Sequence, residues 1–123
     1  MHTIDTNALI YYLEDEVHVA PVIGNIITQQ GPGFISTITE LELFSFSKLT
    51  PTDIRNIEDL LRLLIVIPLD SRFARIAGSL RQEYQLKTAD SAVAATALAT
   101  WSSLVTRNVK DFRKIPELNI TKI

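Results

Sequence analysis

With 123 residues, 46% apolar and 21% charged, the chain is long enough to bury a core and too evenly composed to be a disordered tail. Its formal net charge of −2 excludes a broadly basic nucleic-acid binder, so any contact with a polyanion has to be local or bridged by a cation. The absence of cysteine removes disulfides, thiolate nucleophiles and Cys-based zinc sites, and fits a reducing cytoplasm. The start, MHTIDTNALIYYLEDE, lacks the basic flank and apolar run of a signal peptide. No apolar stretch reaches membrane-spanning length, so a soluble, cytoplasmic protein is expected.

In chain order, Thr3 and Ile4 end a first short strand that runs into Asp5. Thr6 or Asn7 then caps a helix carrying Leu9, Ile10, Leu13 and Val17 at helical spacing. Pro21 opens a second helical piece, and Gly31-Pro32-Gly33 breaks it. Phe34 to Ile38 reads as a second strand. Thr39 follows as an N-cap, with Glu42 three residues later as in a capping box. Thr50-Pro51-Thr52-Asp53 starts another helix with a stripe of Ile54, Ile57, Leu60, Leu61 and Leu64. The run from Leu64 to Pro68 is β-branched and reads as a buried third strand. Asp70 or Ser71 caps a helix that turns Phe73, Ile76, Ala77 and Leu80 inward. Thr88-Ala89-Asp90 begins an Ala-rich helix whose small side chains allow close approach to a sheet. Leu104 to Thr106 is a fourth strand, Asn108 caps a short helical turn through Phe112, and Leu118 to Ile120 forms a fifth strand.

Strands alternating with helices predict an α/β fold, one domain over residues 1–123 built around a short, mostly parallel sheet. In such sheets ligands bind beyond the carboxyl ends of the strands. Asp5 and the segment from Thr106 to Asp111 both lie there.

Taken singly, each acid has a plain structural role. Asp5 and Glu42 suit helix caps, and Asp90 and Asp111 suit first helical turns, where the macrodipole favours an acid. Taken together, Asp5, Glu42, Asp90 and Asp111 all fall at helix starts on one edge of the predicted sheet. Clustered carboxylates repel, raise one another's pKa and are costly to bury. A hard divalent ion, Mg2+ or Mn2+, resolves that conflict, because it prefers oxygen ligands and activates water against a phosphodiester. Arg107, Lys110, Arg113 and Lys114 flank Asp111 and read either as a solvated face or as contacts to RNA phosphates. His2 and His18 have no ligand spacing, and Tyr11, Tyr12 and Trp101 read as packing or interface residues rather than base-stacking platforms.

The segments MHTIDTNALIYYL, FISTITELELF, LKTADSAVAATALA and LVTRNVKDFRKIPELNI, in that order and spacing, resemble the PIN-domain family, and within it the VapC-type toxins. The resemblance runs nearly end to end. It implies a three-layer α/β/α nuclease fold, dependence on Mg2+ or Mn2+, and hydrolysis of single-stranded RNA. Position by position it matches Asp5, Glu42 and Asp90 to the family's first three acids. The Ser36, Thr39, Glu42 spacing selects Glu42 over Glu40. Asn108 stands where some relatives carry an acid, so Asp111 is expected to supply the fourth, with Asn108, Thr6 and Thr106 as hydrogen-bonding support. The resemblance also implies a homodimer and a small antitoxin partner. Two rival readings remain: a PIN-like module kept only for binding RNA or protein, and a phosphoacceptor receiver domain. The receiver lacks its acid pair here, since Asp5 has no acidic neighbour in sequence.

Overall fold

A computed structural model describes residues 1–123. Strand and helix alternate: β1 (His2–Ile4), α1 (Thr6–Leu13), α2 (Ala20–Gln29), β2 (Gly33–Ser36), α3 (Thr37–Leu43), α4 (Pro51–Arg62), β3 (Ile65–Ile67), α5 (Ser71–Tyr84), α6 (Thr88–Ala99), β4 (Ser103–Thr106), α7 (Val109–Phe112) and β5 (Ile120–Lys122). The five strands form one sheet in the order β3-β2-β1-β4-β5, and every pairing is parallel. The chain therefore winds outward from β1 in one direction and, after crossing back, outward from β4 in the other. That order differs from the 2-1-3-4-5 order of receiver domains, so the receiver reading is overturned.

Winding in opposite directions puts helices on both faces. One core joins Leu9, Ile23, Leu43, Ile57 and Leu60 to the strand residues Ile4, Ile35 and Val105. The other joins Leu80, Val93, Ala94, Phe112 and Ile115 to Leu104. Successive strand side chains point to opposite faces. Ile4 and Val105 thus face the first core, while Asp5 and Thr106, one residue on, turn toward the α6 side. Helix α6 is buried along Ser91–Ala97, and its alanines let it lie close against the sheet. At Gly33 an added Cβ would sit 2.9 Å from the end of the Leu64 side chain, which would have to shift to admit it.

Several local expectations shift. The second strand stops at Ser36, whose hydroxyl accepts the Ile38 amide at 3.1 Å and caps α3 three residues before the expected cap Thr39. Glu42 is therefore past the first turn and is not a capping-box acid. The true capping box is at α4, where Thr50 and Asp53 exchange bonds of 2.9 and 3.1 Å. Asp5 itself, rather than Thr6 or Asn7, occupies the cap position of α1. That helix ends at Leu13, leaving Val17 beyond it and exposed. β3 is an edge strand with Ile65 exposed, not a buried one, and Ile76 is exposed. The last strand starts at Ile120 rather than ending there.

Helix α6 closes on an unusual residue. The Trp101 amide donates to the Leu98 carbonyl at 3.3 Å and the Ser102 amide to the Ala97 carbonyl at 3.1 Å. This pair of bonds requires a left-handed residue after the cap, usually glycine. Trp101 takes that role with φ 54°, at a steric cost of roughly 1 kcal/mol. Its indole is 89% exposed, so burial does not offset the strain.

Candidate active site

The site lies where the winding reverses, between β1 and β4. The Asp5 amide donates to the Val105 carbonyl at 3.1 Å, extending the ladder one residue past the end of β1. This register fixes Asp5 against Thr106, whose hydroxyl donates to Asp5 Oδ2 at 2.8 Å. The Asn108 amide in turn donates to Thr106 Oγ1 at 2.9 Å. The threonine oxygen is thus occupied as an acceptor, and its proton is aimed at the carboxylate. Asp5 and Thr106 are both buried.

Glu42 arrives from α3, held by the Thr6 hydroxyl 2.7 Å from its Oε1. Thr6 also lies 3.0 Å from the buried Thr39 hydroxyl. Its proton goes to the charged acceptor, which makes the shorter bond. Asp90 stands half-buried in the first turn of α6. Asp111, also half-buried, accepts the Asn108 side-chain amide at 3.0 Å, and Lys114 Nζ lies 3.8 Å from its other oxygen. Asn108 occupies the cap position of α7, but its side chain bonds Asp111 rather than closing a cap.

The electrostatics link these acids. Burial pushes the Asp5 carboxyl up to about 6, and Asp90 and Glu42 push the same way. The Thr106 hydroxyl and the Thr6 amide pull it down without cancelling the rise. Asp90 is also raised, first by burial and then by Asp111 and Glu42, while Lys87 opposes. Neither Asp5, Glu42 nor Asp90 forms an ion pair within the chain. The structure thus gathers all four sequence-selected acids into one field, with Thr6, Thr106 and Asn108 hydrogen-bonded to them.

Whether a divalent ion fits can be read from the donors. They are all oxygens and all acidic, which suits Mg2+ or Mn2+ and not a nitrogen- or sulfur-seeking metal. No three carboxylates form a ready-made cage. Mg2+ needs none, because it keeps several waters and takes only one or two protein carboxylates. The donor set therefore fits.

The profile of the PIN domain matches residues 3–118. The chain belongs to the PIN domain family. Comparison with curated proteins gave no match. Similar solved structures include a toxin-antitoxin complex from Klebsiella pneumoniae, at 28% identity and TM-score 0.80 over 100% of both chains. VapBC-1 from nontypeable Haemophilus influenzae is 26% identical, with TM-score 0.78 over 98% of this chain and 96% of that one. VapBC2 from Rickettsia felis, bound to a DNA fragment from its promoter, shares the fold at 24% identity and TM-score 0.83, over 99% and 98%.

Around this PIN site the basic residues divide. Arg107 donates to Glu16 Oε2 at 3.3 Å and lies over the Tyr11 ring, 4.5 Å from its centroid. It ties the β4–α7 turn to the end of α1. Lys114 leans on Asp111. Lys110 and Arg113 are exposed and form no ion pair. The sequence reading missed Lys87, the one cation that eases Asp90, and Thr39 beneath Thr6; Lys87 could have been found from its place one turn before Asp90. Separate from the acids, a cavity of about 370 Å3 opens between α1, α3 and α4, lined by Ile10, Leu13, Leu43, Phe46, Leu49 and Ile57.

Proposed function

We propose that this PIN domain, one unit over residues 1–123, is a Mg2+- or Mn2+-dependent endoribonuclease acting on single-stranded RNA in the cytoplasm, as the toxin of a toxin-antitoxin pair. The observation that carries the reading is Asp5: a buried carboxylate at the reversal point of the sheet, facing two further acids and forming no ion pair of its own. Asp5 and Asp90 hold the divalent ion, which when bound supplies positive charge to the phosphodiester and acidifies a water. Thr106 keeps Asp5 ionised and aimed. Glu42, fixed by Thr6, and Asp111, fixed by Asn108, orient water by accepting its hydrogens. Lys110 and Arg113 are free to meet RNA phosphates at the rim.

The partners follow from the same family. The similar Klebsiella and Haemophilus structures are toxin-antitoxin assemblies. The apolar cavity between α1 and α4 is the place for an antitoxin segment on this chain, and a homodimer is the expected assembly. The deciding experiment incubates defined RNAs with the purified protein, with Mn2+ or with EDTA, beside Asp5→Asn and Asp90→Asn. Cleavage that needs the metal and both acids supports the reading. Cleavage unchanged in both variants overturns the site. Intact RNA with tight binding supports the binding-only alternative.

A further inference from the structure

At the opposite end of α6 from Asp90, Trp101 lines a second pocket of about 240 Å3 with Ala97, Leu98, Ser102, Glu117 and Asn119. Three features set it apart. The indole is the only tryptophan in the chain and is almost wholly exposed. It occupies a left-handed position that glycine would fill without strain. Glu117 stands beside it with no ion-pair partner. A large ring kept at a strained, exposed position is not explained by packing, and strain of this kind clusters at binding sites.

The chemistry of the lining selects the occupant. Tryptophan offers the best face for a cation, and an adjacent carboxylate completes the attraction. Asn119 supplies an amide at the rim. A planar guanidinium stacks on an indole and pairs with a carboxylate at once, which an ammonium does less well. The partly exposed Leu98 side chain takes the methylene stem. We infer that the Trp101–Glu117 pocket is a docking site for an arginine side chain on a partner polypeptide.

Its place has a consequence. Helix α6 carries Asp90 in its first turn and Trp101 just past its end, about 16 Å apart at 1.5 Å per residue. The pocket opens at the amino ends of the strands, whereas the acids gather at the carboxyl ends. A polypeptide held at Trp101 leaves the acid cluster open. The inference does not depend on the nuclease reading.

Because Trp101 is the only tryptophan, its fluorescence reports on this pocket alone. The probes are N-acetyl-arginine amide and N-acetyl-citrulline amide, which has nearly the same shape without the charge. The arginine probe is expected to give a saturable emission change with Kd on the order of millimolar. Citrulline should bind at least about tenfold more weakly, the loss of one charged contact. Glu117→Gln should shrink the difference, leaving the part that the indole face supplies. Equal responses to both probes, or none from arginine, overturn the proposal. Trp101→Gly provides the second check: its melting temperature should rise, because strain is relieved and little burial is lost. A fall would mean that the indole serves stability, and the docking site would be discarded.

Discussion

The two halves of the acid cluster are built on opposite terms. On one side Asp5 is sealed between β1, β4 and α6, with only hydroxyl and amide protons to support it, and its carboxyl rises to about 6. On the other, Asp111 sits at the rim with an amide from Asn108 and an ammonium from Lys114. The rim half is satisfied as it stands; the buried half is not. The difference teaches where charge is missing: under the function proposed above, a divalent ion would gain most by binding toward Asp5 and Asp90, with Asp111 at the side.

The largest expected effect breaks the buried half. Asp5→Asn and Asp90→Asn should each lower RNA cleavage by ~10^3-fold or more, as losing a group that acts as part of a unit does. Circular dichroism of both variants should match the parent.

The next effect is on stability without metal. Asp5 titrates near 3.8 in the unfolded chain and near 6 in the folded one. Between those values the folded state holds the extra proton, so the stability that Asp5 contributes is greatest below pH 4, declines as pH rises and is least above pH 6. At ~1.4 kcal/mol per pH unit the fall is up to about 3 kcal/mol. Melting curves in EDTA from pH 4 to 7 should show this decline, Asp5→Asn should flatten it, and Mn2+ at pH 7 should restore what was lost. A flat profile for the parent protein would mean that Asp5 is better solvated than its burial implies.

Thr106→Val sharpens the comparison further. It removes a hydrogen bond that holds the Asp5 pKa down, so the acidic limb of the cleavage profile should move to higher pH, with roughly tenfold less activity near pH 6. Asp111→Asn should do less than either buried-acid variant, about 10- to 100-fold, because the amide still pairs with Asn108. A loss as deep as that of Asp5→Asn would erase the distinction between the halves. Smallest of all is Arg107→Ala. It breaks a partly exposed ion pair and a stack on Tyr11, together worth about 1 kcal/mol, and should shift the melting temperature by a few degrees.

The sequence was most informative where chemistry and backbone coincide. Asp5 and Thr106 could be found because each ends an apolar strand, and strand ends of a parallel sheet are where sites form. Asp90 could be found because an Ala-rich helix begins around it. The misreadings came from one local turn and from contacts between residues far apart in the chain. Thr37 and Ile38 look like strand residues, and only the Ser36 hydroxyl turning onto the Ile38 amide starts the helix there. Glu42 has capping-box spacing from Thr39, yet its partner is Thr6 on another helix. The stretch Ile65–Ile67 is as apolar as a central strand, and only the sheet order makes it an edge. Arg107 looked free because Tyr11 and Glu16 lie at the far end of the chain.

The pairing of β1 with β4 also sets when the site can exist. Asp5 meets Thr106 across a sequence separation of 101 residues. During synthesis β1 emerges first and its neighbour β2 soon after, but β1 stays open along its other edge until Ser103–Thr106 have been made. A nascent chain that stops before that point has Asp5 and Asp90 without the strand that seals them together. The acid cluster is therefore among the last features to form, and a ribosome carrying an unfinished copy does not carry the assembled site.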